Sequence, residues 1–316
     1  MIAIIFPGQG SQHPGMGEAL YEKYQAAKDI FHRVEAATGI RLAELCFHSD
    51  PDTLRQTQNT QIALYTCGLA AYASLQEQTS TLAVQAMAGH SVGEYTALAA
   101  AGIITIEDGA KLVQKRGNLM ARSGQLRPGA MAAILGLDSS VVKEICELSS
   151  SEGEVVIANY NCPGQLVISG DKAAVQLAGE LAKDKGAKRV LPLNVSGAFH
   201  SPLMDEAAES MREALAQCQF SQPKDNIQVY ANTTASKVND STSWQKILEE
   251  QLNHSVKWTQ SIQNMIADDI HSFIECGCGE VYIGLVKRID KSVERMTVDS
   301  PETLNNCINQ LKEVSI

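Results

Sequence analysis

The stretch that most constrains the fold is residues 82–101, LAVQAMAGHSVGEYTALAAA. Its first seven residues are apolar except for one glutamine, which predicts a buried strand. Residues 89–93 follow in the form G-x-S-x-G, and the alanine-rich segment after them is typical of a helix. In this context Ser91 would be a nucleophile held in a strained turn. The N-terminus of the following helix would face the oxyanion that forms when the serine attacks its substrate. The alternative is a structural glycine-rich turn between a strand and a helix.

The composition excludes several classes of protein. The chain has 316 residues, of which 44% are apolar and 20% charged, so it can form one large domain or a large and a small one. Its net charge of −10 and 5% aromatic content argue against nucleic-acid binding. No apolar run is long enough to span a membrane, and Pro7-Gly8 interrupts the N-terminal apolar run too early for a signal peptide. Scattered cysteines without a C-x-x-C pair predict free thiols, no metal site and a cytoplasmic location.

Apolar periodicity predicts an α/β chain with an inserted unit. Residues 2–6 predict a central strand, and the glycine-containing loop 7–10 follows at the edge where open α/β sheets bind ligands. Residues 127–195 have the order β-α-β-β-α-β, which is ferredoxin-like. We expect a catalytic domain from 1–126 and 196–316, with 127–195 as a small domain forming one wall of a cleft. Helical spacing predicts the surrounding helices at 17–37, 61–77, 107–123, 203–217, 244–252, 256–267, 280–289 and 300–313.

A nucleophilic serine needs a base, and two histidines compete for this role. His200 lies in a loop of small residues at the expected domain junction. His271 follows two aspartates, a cluster more typical of a solvated loop before a strand. His90 adjoins the serine, and we expect its side chain to point away. Asp205 is near His200 only in sequence, and a backbone carbonyl can hold the imidazole tautomer in place of an acid.

An arginine lies on the apolar stripe predicted for helix 107–123. Leu112, Val113 and Met120 continue this stripe on neighbouring turns around Arg116. One interpretation places Arg116 at the edge of the stripe, with its guanidinium reaching solvent. The other places the guanidinium inside the protein, where it awaits an anion. The spacing alone does not separate the two.

Together these motifs resemble those of malonyl-CoA:acyl carrier protein transacylases and of the acyltransferase domains of polyketide synthases. The resemblance spans nearly the whole chain. The matching segments are 6–12 (FPGQGSQ), 89–95 (GHSVGEY), Arg116-Gly117, 161–165 (NCPGQ), 197–201 (GAFHS), Gln251-Leu252, Trp258 and the ends of 279–288. It implies an α/β-hydrolase-like large domain with a parallel sheet and nucleophile elbow, and an inserted ferredoxin-like small domain. A discrete chain is most similar to an acyltransferase serving a polyketide synthase in trans, with fatty-acid synthesis as the alternative.

The resemblance also implies a reaction. Ser91 attacks the thioester of malonyl-CoA with His200 as general base. The malonyl-serine ester then passes its acyl group to the phosphopantetheine thiol of an acyl carrier protein, in a ping-pong sequence. The main-chain carbonyl that orients the histidine in the family corresponds to Gln251, which explains the missing acid.

Four further positions receive roles from the resemblance. The oxyanion donors correspond to the backbone amides of Gln9 and Val92. Arg116 corresponds to the residue that grips the malonyl carboxylate, where a planar guanidinium makes two charge-assisted hydrogen bonds. Phe199 directly precedes the histidine and favours malonyl over methylmalonyl groups. We expect no permanently bound cofactor and a monomeric enzyme.

Three other functions compete with this prediction. An acyl hydrolase of the same fold would clear acyl groups from carrier proteins by admitting water in the second step. Relatives of that kind tend to lack the arginine, so Arg116 argues against it, and a generic esterase leaves Arg116 unexplained. A catalytically silent docking module would not need an intact Ser91, His200 and Arg116.

Overall fold

A computed structural model describes residues 1–79, 82–195 and 197–314. The strands of this part of the chain form two sheets. They are β1 (Ile2–Phe6), β2 (Val84–Gly89), β3 (Gly129–Leu135), β4 (Val155–Cys162), β5 (Gln165–Asp171), β6 (Arg189–Pro192), β7 (Gln228–Tyr230), β8 (Ser272–Cys276) and β9 (Glu294–Val298). The larger sheet is parallel, in the order β7-β2-β1-β8-β9, and the smaller is antiparallel, in the order β4-β5-β3-β6.

Helices connect and cover these strands. They are α1 (Glu18–Lys23), α2 (Gln25–Thr38), α3 (Pro51–Arg55), α4 (Thr57–Gln78), α5 (Val92–Ala100), α6 (Ile106–Leu126), α7 (Ser139–Ser149), α8 (Lys172–Asp184), α9 (Asp205–Ala216), α10 (Trp244–Glu250), α11 (Trp258–Ala267), α12 (Val281–Ile289) and α13 (Pro301–Val314). Within the described ranges, none of these helices combines the length and apolar character that a membrane crossing requires.

The parallel sheet is buried on both faces, and successive side chains along its strands pack into different cores. In β1, Ile4 and Phe6 pack into a core shared with α2, α4, α5 and α6. The intervening Ala3 and Ile5 pack into a second core formed with α11 and α12. This period of two with apolar residues on both faces gives the three-layer arrangement of α/β proteins. The expected parallel sheet of the hydrolase-like domain is confirmed.

The smaller sheet has the predicted ferredoxin-like order, because β3, α7, β4, β5, α8 and β6 follow one another along the chain. Residues such as Ile145 of α7 and Val175 of α8 pack on one face of the sheet in a core of their own. Strand β4 is also tied to the remainder of the protein: Tyr160 N donates to Val256 O over 2.9 Å, and Val256 N donates to Ala158 O over 2.8 Å. The division into domains 1–126 with 196–316 and 127–195 stays a prediction.

Several elements differ from those predicted. Helix 17–37 is two helices, because Tyr24 is extended (φ −113°, ψ 131°) between them. Helix 203–217 begins with a 3₁₀ turn, Pro202–Met204. Sequence periodicity missed α3 and the π-helical turn Glu44–His48 before it. It also missed β9, an edge strand whose residues ERMTV are only partly buried and lack a continuous apolar run.

Candidate active site

The G-x-S-x-G segment forms the sharp turn between β2 and α5. Ser91 has φ 54° and ψ −111°, a strained conformation that persists only where its surroundings enforce it. The flanking glycines are sterically required. A side-chain carbon at Gly89 would lie 1.9 Å from the backbone of Gly93, and one at Gly93 would lie 2.4 Å from Phe6 O. The turn therefore packs against the carboxyl end of β1, where the loop containing Gln9 begins.

An asparagine that sequence reasoning missed holds this turn. Asn232 Oδ1 accepts a hydrogen bond from Ser91 N (2.7 Å), and its Nδ2 donates to Gly89 O (2.7 Å). Asn232 lies just beyond β7, which pairs with β2. Carboxyl ends of parallel strands meet at one edge of a sheet, so the polar Asn232 just after β7 was the available sequence signal.

His200 lies against the serine. Its Nε2 is 2.8 Å from Ser91 Oγ, and its Nδ1 is 2.7 Å from Gln251 O. A carbonyl can only accept, so Nδ1 carries the hydrogen and Nε2 is free to accept the serine proton. His200 also has a positive φ of 57°, and its backbone N donates to Leu252 O over 3.1 Å. The structure thus brings together the serine, the histidine and the carbonyl that the sequence predicted.

The other candidates for the base and its partner lie elsewhere. The ring of His271 is exposed and 3.9 Å from Asp269, at the amino end of β8, whereas the serine lies beyond the carboxyl end of β2. Asp205 accepts a hydrogen bond from Asn253 Nδ2 (2.7 Å). These contacts leave His200 as the histidine that meets Ser91.

His90 points away from the serine hydroxyl, as expected. Its Nε2 is 3.0 Å from Asn161 Oδ1, a residue of β4. The ring packs against Tyr282, with centroids 4.8 Å apart, and against Trp258 at 5.6 Å. His90 therefore connects β4 of the smaller sheet to the turn that contains Ser91, and these contacts are structural.

Arg116 points inward and is 0% exposed. Its Nη1 donates to Gln61 Oε1 (2.6 Å), and its Nη2 donates to Ser91 Oγ (3.0 Å) and to Gln251 Oε1 (2.9 Å). The Nε atom is buried without a hydrogen-bond partner among the described residues. A buried guanidinium beside the Ser91 hydroxyl is suited to contact an anionic group. Gln61, on the apolar helix α4, was missed by sequence reasoning.

A buried carboxyl group, also missed, lies behind the serine and the arginine. Glu94 is 0% exposed; its Oε1 accepts from Asn232 N (2.6 Å), and its Oε2 accepts from Gln251 Nε2. Burial raises the pKa of Glu94 to about 8, against the opposing effects of these hydrogen bonds and of Arg116. The only sequence signal was an acidic residue inside an alanine-rich helix.

Ser91, His200 and Arg116 line a cavity of about 90 Å³. Gln9 and Val92 also line it: Gln9 from the loop after β1 and Val92 as the first residue of α5, whose first-turn amides have no acceptor within the helix. Phe199 contributes to an apolar wall with Met120, Met131, Leu193 and Val195. No group of three His, Cys, Asp or Glu side chains within the described residues is placed to hold a metal ion.

The environment of His200 predicts an unusual pH dependence. Burial, aided by the charge of Arg116, lowers its pKa from 6.5 to about 3. A neutral imidazole remains a competent base, so we expect the rate of Ser91 labelling by a fluorophosphonate to show no loss around pH 6.5. Stopped-flow labelling from pH 5 to 8 measures this, with the reagent's own hydrolysis as control. A decline centred near pH 6.5 would contradict the buried neutral histidine.

The same shift affects stability in a defined direction. Because the folded-state pKa of His200 lies below the unfolded value, its contribution to the free energy of unfolding is complete above pH 6.5 and declines as the pH falls toward 3. The raised pKa of Glu94 acts in the opposite direction, since its contribution is complete below pH 4.5 and declines as the pH rises through 8.

The fold is that of an α/β protein with a serine in a sharp strand-to-helix turn and a histidine hydrogen-bonded to it, an arrangement suited to acyl transfer through the serine. The chain belongs to the acyl transferase domain family, whose profile matches residues 3–300. The malonyl CoA-acyl carrier protein transacylase of Bacillus subtilis is 42% identical over 313 residues, covering 99% of this chain and 98% of that protein.

Solved structures are similar over the same span. The malonyl-CoA:acyl carrier protein transacylase from Xanthomonas oryzae pv. oryzae has a TM-score of 0.93 and 38% identity, covering 98% of each chain. A malonyl-transacylase in complex with its type II polyketide synthase acyl-carrier protein has a TM-score of 0.93 and 33% identity, covering 98% of this chain and 99% of that one. These similarities extend across both sheets.

Proposed function

We propose that this acyltransferase moves a malonyl group from malonyl-CoA to the phosphopantetheine thiol of an acyl carrier protein, through an ester on Ser91. The observation that carries the proposal is the buried Arg116, whose Nη2 lies 3.0 Å from the nucleophilic Oγ. A neutral acyl group would leave the charge of this buried cation uncompensated, whereas a carboxylated acyl group neutralises it. The activities in the names of the relatives agree with this choice of substrate.

In the first half-reaction, His200 Nε2 takes the proton of Ser91 as Oγ attacks the thioester carbon. The carbonyl oxygen becomes an oxyanion, which accepts hydrogen bonds from the backbone amides of Gln9 and Val92. Collapse of this intermediate breaks the carbon–sulfur bond, and the imidazolium of His200 protonates the departing CoA thiol. The carbonyl of Gln251 holds the imidazole and stabilises its charged form.

In the second half-reaction, His200 takes the proton of the phosphopantetheine thiol. The sulfur attacks the malonyl-serine ester, and the same amides bind the second oxyanion. The carbon–oxygen bond to Ser91 breaks, and the imidazolium returns the proton to Oγ. The enzyme regains its starting state, and no cofactor takes part in either step.

Acyl selection follows from two sides of the cavity. Arg116 makes three hydrogen bonds within the protein, and its Nη2 atom faces the Ser91 hydroxyl. The carboxylate would bind the adjacent Nη1 and Nη2 donors as a pair and replace the contact of Nη2 with Ser91 Oγ. Phe199 fills the apolar wall where an α-methyl group would lie, which favours malonyl over methylmalonyl. Such pockets separate substrates by about 1–3 kcal/mol per methyl group.

The proposal is tested by the covalent intermediate. After incubation with malonyl-CoA, we expect intact-mass spectrometry to show one malonyl adduct, and peptide mapping to place it on Ser91. Ser91→Ala is the matched control, because it removes one oxygen and leaves Arg116 and His200 in place. Addition of phosphopantetheinylated carrier protein is expected to move the group to the carrier.

Two other outcomes would contradict this function. Release of free malonate without carrier loading would identify a hydrolase of the same fold. Absence of both adduct and hydrolysis would identify a silent docking module. We propose further that the enzyme is a cytoplasmic monomer serving polyketide or fatty-acid synthesis, and sedimentation analysis checks the oligomeric state.

A further inference from the structure

The side-chain amide of Gln251 lies between two charged groups. Its Oε1 accepts from Arg116 Nη2 (2.9 Å), while its Nε2 donates to Ser91 O (2.9 Å) and to Glu94 Oε2. The two ends of an amide have nearly the same shape but opposite hydrogen-bonding character. The direction of this amide therefore decides whether Arg116 meets an acceptor or a donor.

Glu94 accepts at both of its oxygens. Its Oε1 accepts a hydrogen bond from the backbone N–H of Asn232 (2.6 Å). A backbone N–H is always a donor, whereas a side-chain amide can rotate to present its oxygen instead. Burial raises the pKa of Glu94, but an N–H donor faces each of its oxygens, and these contacts together with the charge of Arg116 favour the ionised form. The carboxylate therefore presents an acceptor to Gln251, and it is fully buried, so water does not supply a substitute. Within the described part of the chain, the side-chain hydrogen bonds of Glu94 go to Asn232 and Gln251 and not to the serine hydroxyl or the imidazole of His200.

We propose that Glu94 is a positioning residue for acyl selection: it directs the Gln251 amide so that its oxygen faces Arg116, and thereby holds the guanidinium ready for a carboxylated acyl group. This inference rests on the proposed function. The Gln251 backbone carbonyl serves His200, whereas the Gln251 side chain serves Arg116, so Glu94 acts on selection and leaves the base in place.

An isosteric change separates this role from packing. In Glu94→Gln, the new amide oxygen must accept from Asn232 N, which turns its NH₂ group toward Gln251 Nε2. Two donors then face each other in a buried site. If Gln251 turns to relieve the conflict, its NH₂ faces Arg116 and the guanidinium loses an acceptor.

The experiment compares loading of Ser91 from malonyl-CoA and from acetyl-CoA. We expect Glu94→Gln to raise the KM for malonyl-CoA and to lower the malonyl/acetyl ratio of kcat/KM about tenfold or more, the size expected for one buried unsatisfied donor. The matched control is Glu275→Gln, since Glu275 is 1% exposed and its carboxylate also accepts a backbone N–H, from Ile283 (2.6 Å). This control is expected to keep the ratio.

A second variant covers the case in which Glu94→Gln fails to fold. Gln251→Met keeps the backbone carbonyl for His200 and removes the amide, so the ratio is expected to fall in the same way. An unchanged ratio in Gln251→Met would overturn the inference without any use of Glu94→Gln. Where Glu94→Gln does fold, adding it to Gln251→Met is expected to change the ratio no further, because Glu94 acts through Gln251. A further fall of similar size would overturn the inference.

The outcomes also separate this inference from the function on which it rests. Wild-type protein that takes up no malonyl group would refute the proposed function. Wild-type protein that loads malonyl, together with a Glu94→Gln variant of unchanged malonyl/acetyl ratio, would refute the role of Glu94 alone. Equal loss with both substrates and unchanged fluorophosphonate labelling would also contradict a role in selection.

Discussion

Replacement of Arg116 by alanine is expected to lower kcat/KM for malonyl loading by about 100- to 10,000-fold. Two charge-assisted hydrogen bonds to the carboxylate are lost, each of about 1.5–3 kcal/mol, and each 1.4 kcal/mol corresponds to a factor of ten. Loading of acetyl groups is expected to persist or rise, because the variant no longer has a buried positive charge that a neutral acyl group leaves uncompensated. Single-turnover loading with the two CoA esters measures the difference.

Two controls sharpen this result. Arg116→Lys keeps the charge but not the planar pair of donors, so malonyl loading is expected to recover only in part. Arg212→Ala removes an exposed guanidinium that pairs with Glu249 at 2.7 Å, and it is expected to leave both substrates unaffected. Equal losses for malonyl and acetyl groups in Arg116→Ala would refute the carboxylate contact.

Replacement of His200 by alanine is expected to have a comparably large effect, but on every acyl group. General-base catalysis contributes about 10²- to 10⁴-fold, so malonyl and acetyl loading should both fall by that factor. The ratio between the substrates is expected to stay constant, which distinguishes the base from the residues that select the acyl group. His271→Ala is the matched control, because this exposed histidine lies away from the serine. Loss of loading in that control would reassign the base.

The local parts of the site could be predicted from sequence because they depend on neighbouring residues. A strand, two glycines and an alanine-rich helix specify the turn at Ser91 without any knowledge of the remaining chain. The ferredoxin-like order of residues 127–195 is equally local, since each strand pairs within the unit. The choice between His200 and His271 was different, because it depends on which ends of distant strands meet.

The residues that sequence reasoning missed are single polar side chains in apolar surroundings. Gln61 lies on α4, a helix buried on most sides, where nothing in the periodicity marks the position that faces Arg116. Glu94 sits in an apolar helix, and its partners lie 138 and 157 residues away in the chain. Their importance arises from packing, so it becomes visible only in three dimensions.

The backbone hydrogen bonds between β4 and Val256 have a consequence for how the pocket is completed. Gln251 and Leu252, which hold His200, lie a few residues before Val256, whose backbone bonds to β4. Ser91 itself is 109 residues from His200 along the chain. The pocket, which Met131 of β3 and Asn159 of β4 also line, is consequently complete only where both sheets are present and in contact. A chain whose two sheets had not met would carry every side chain of the site and lack the site that they form.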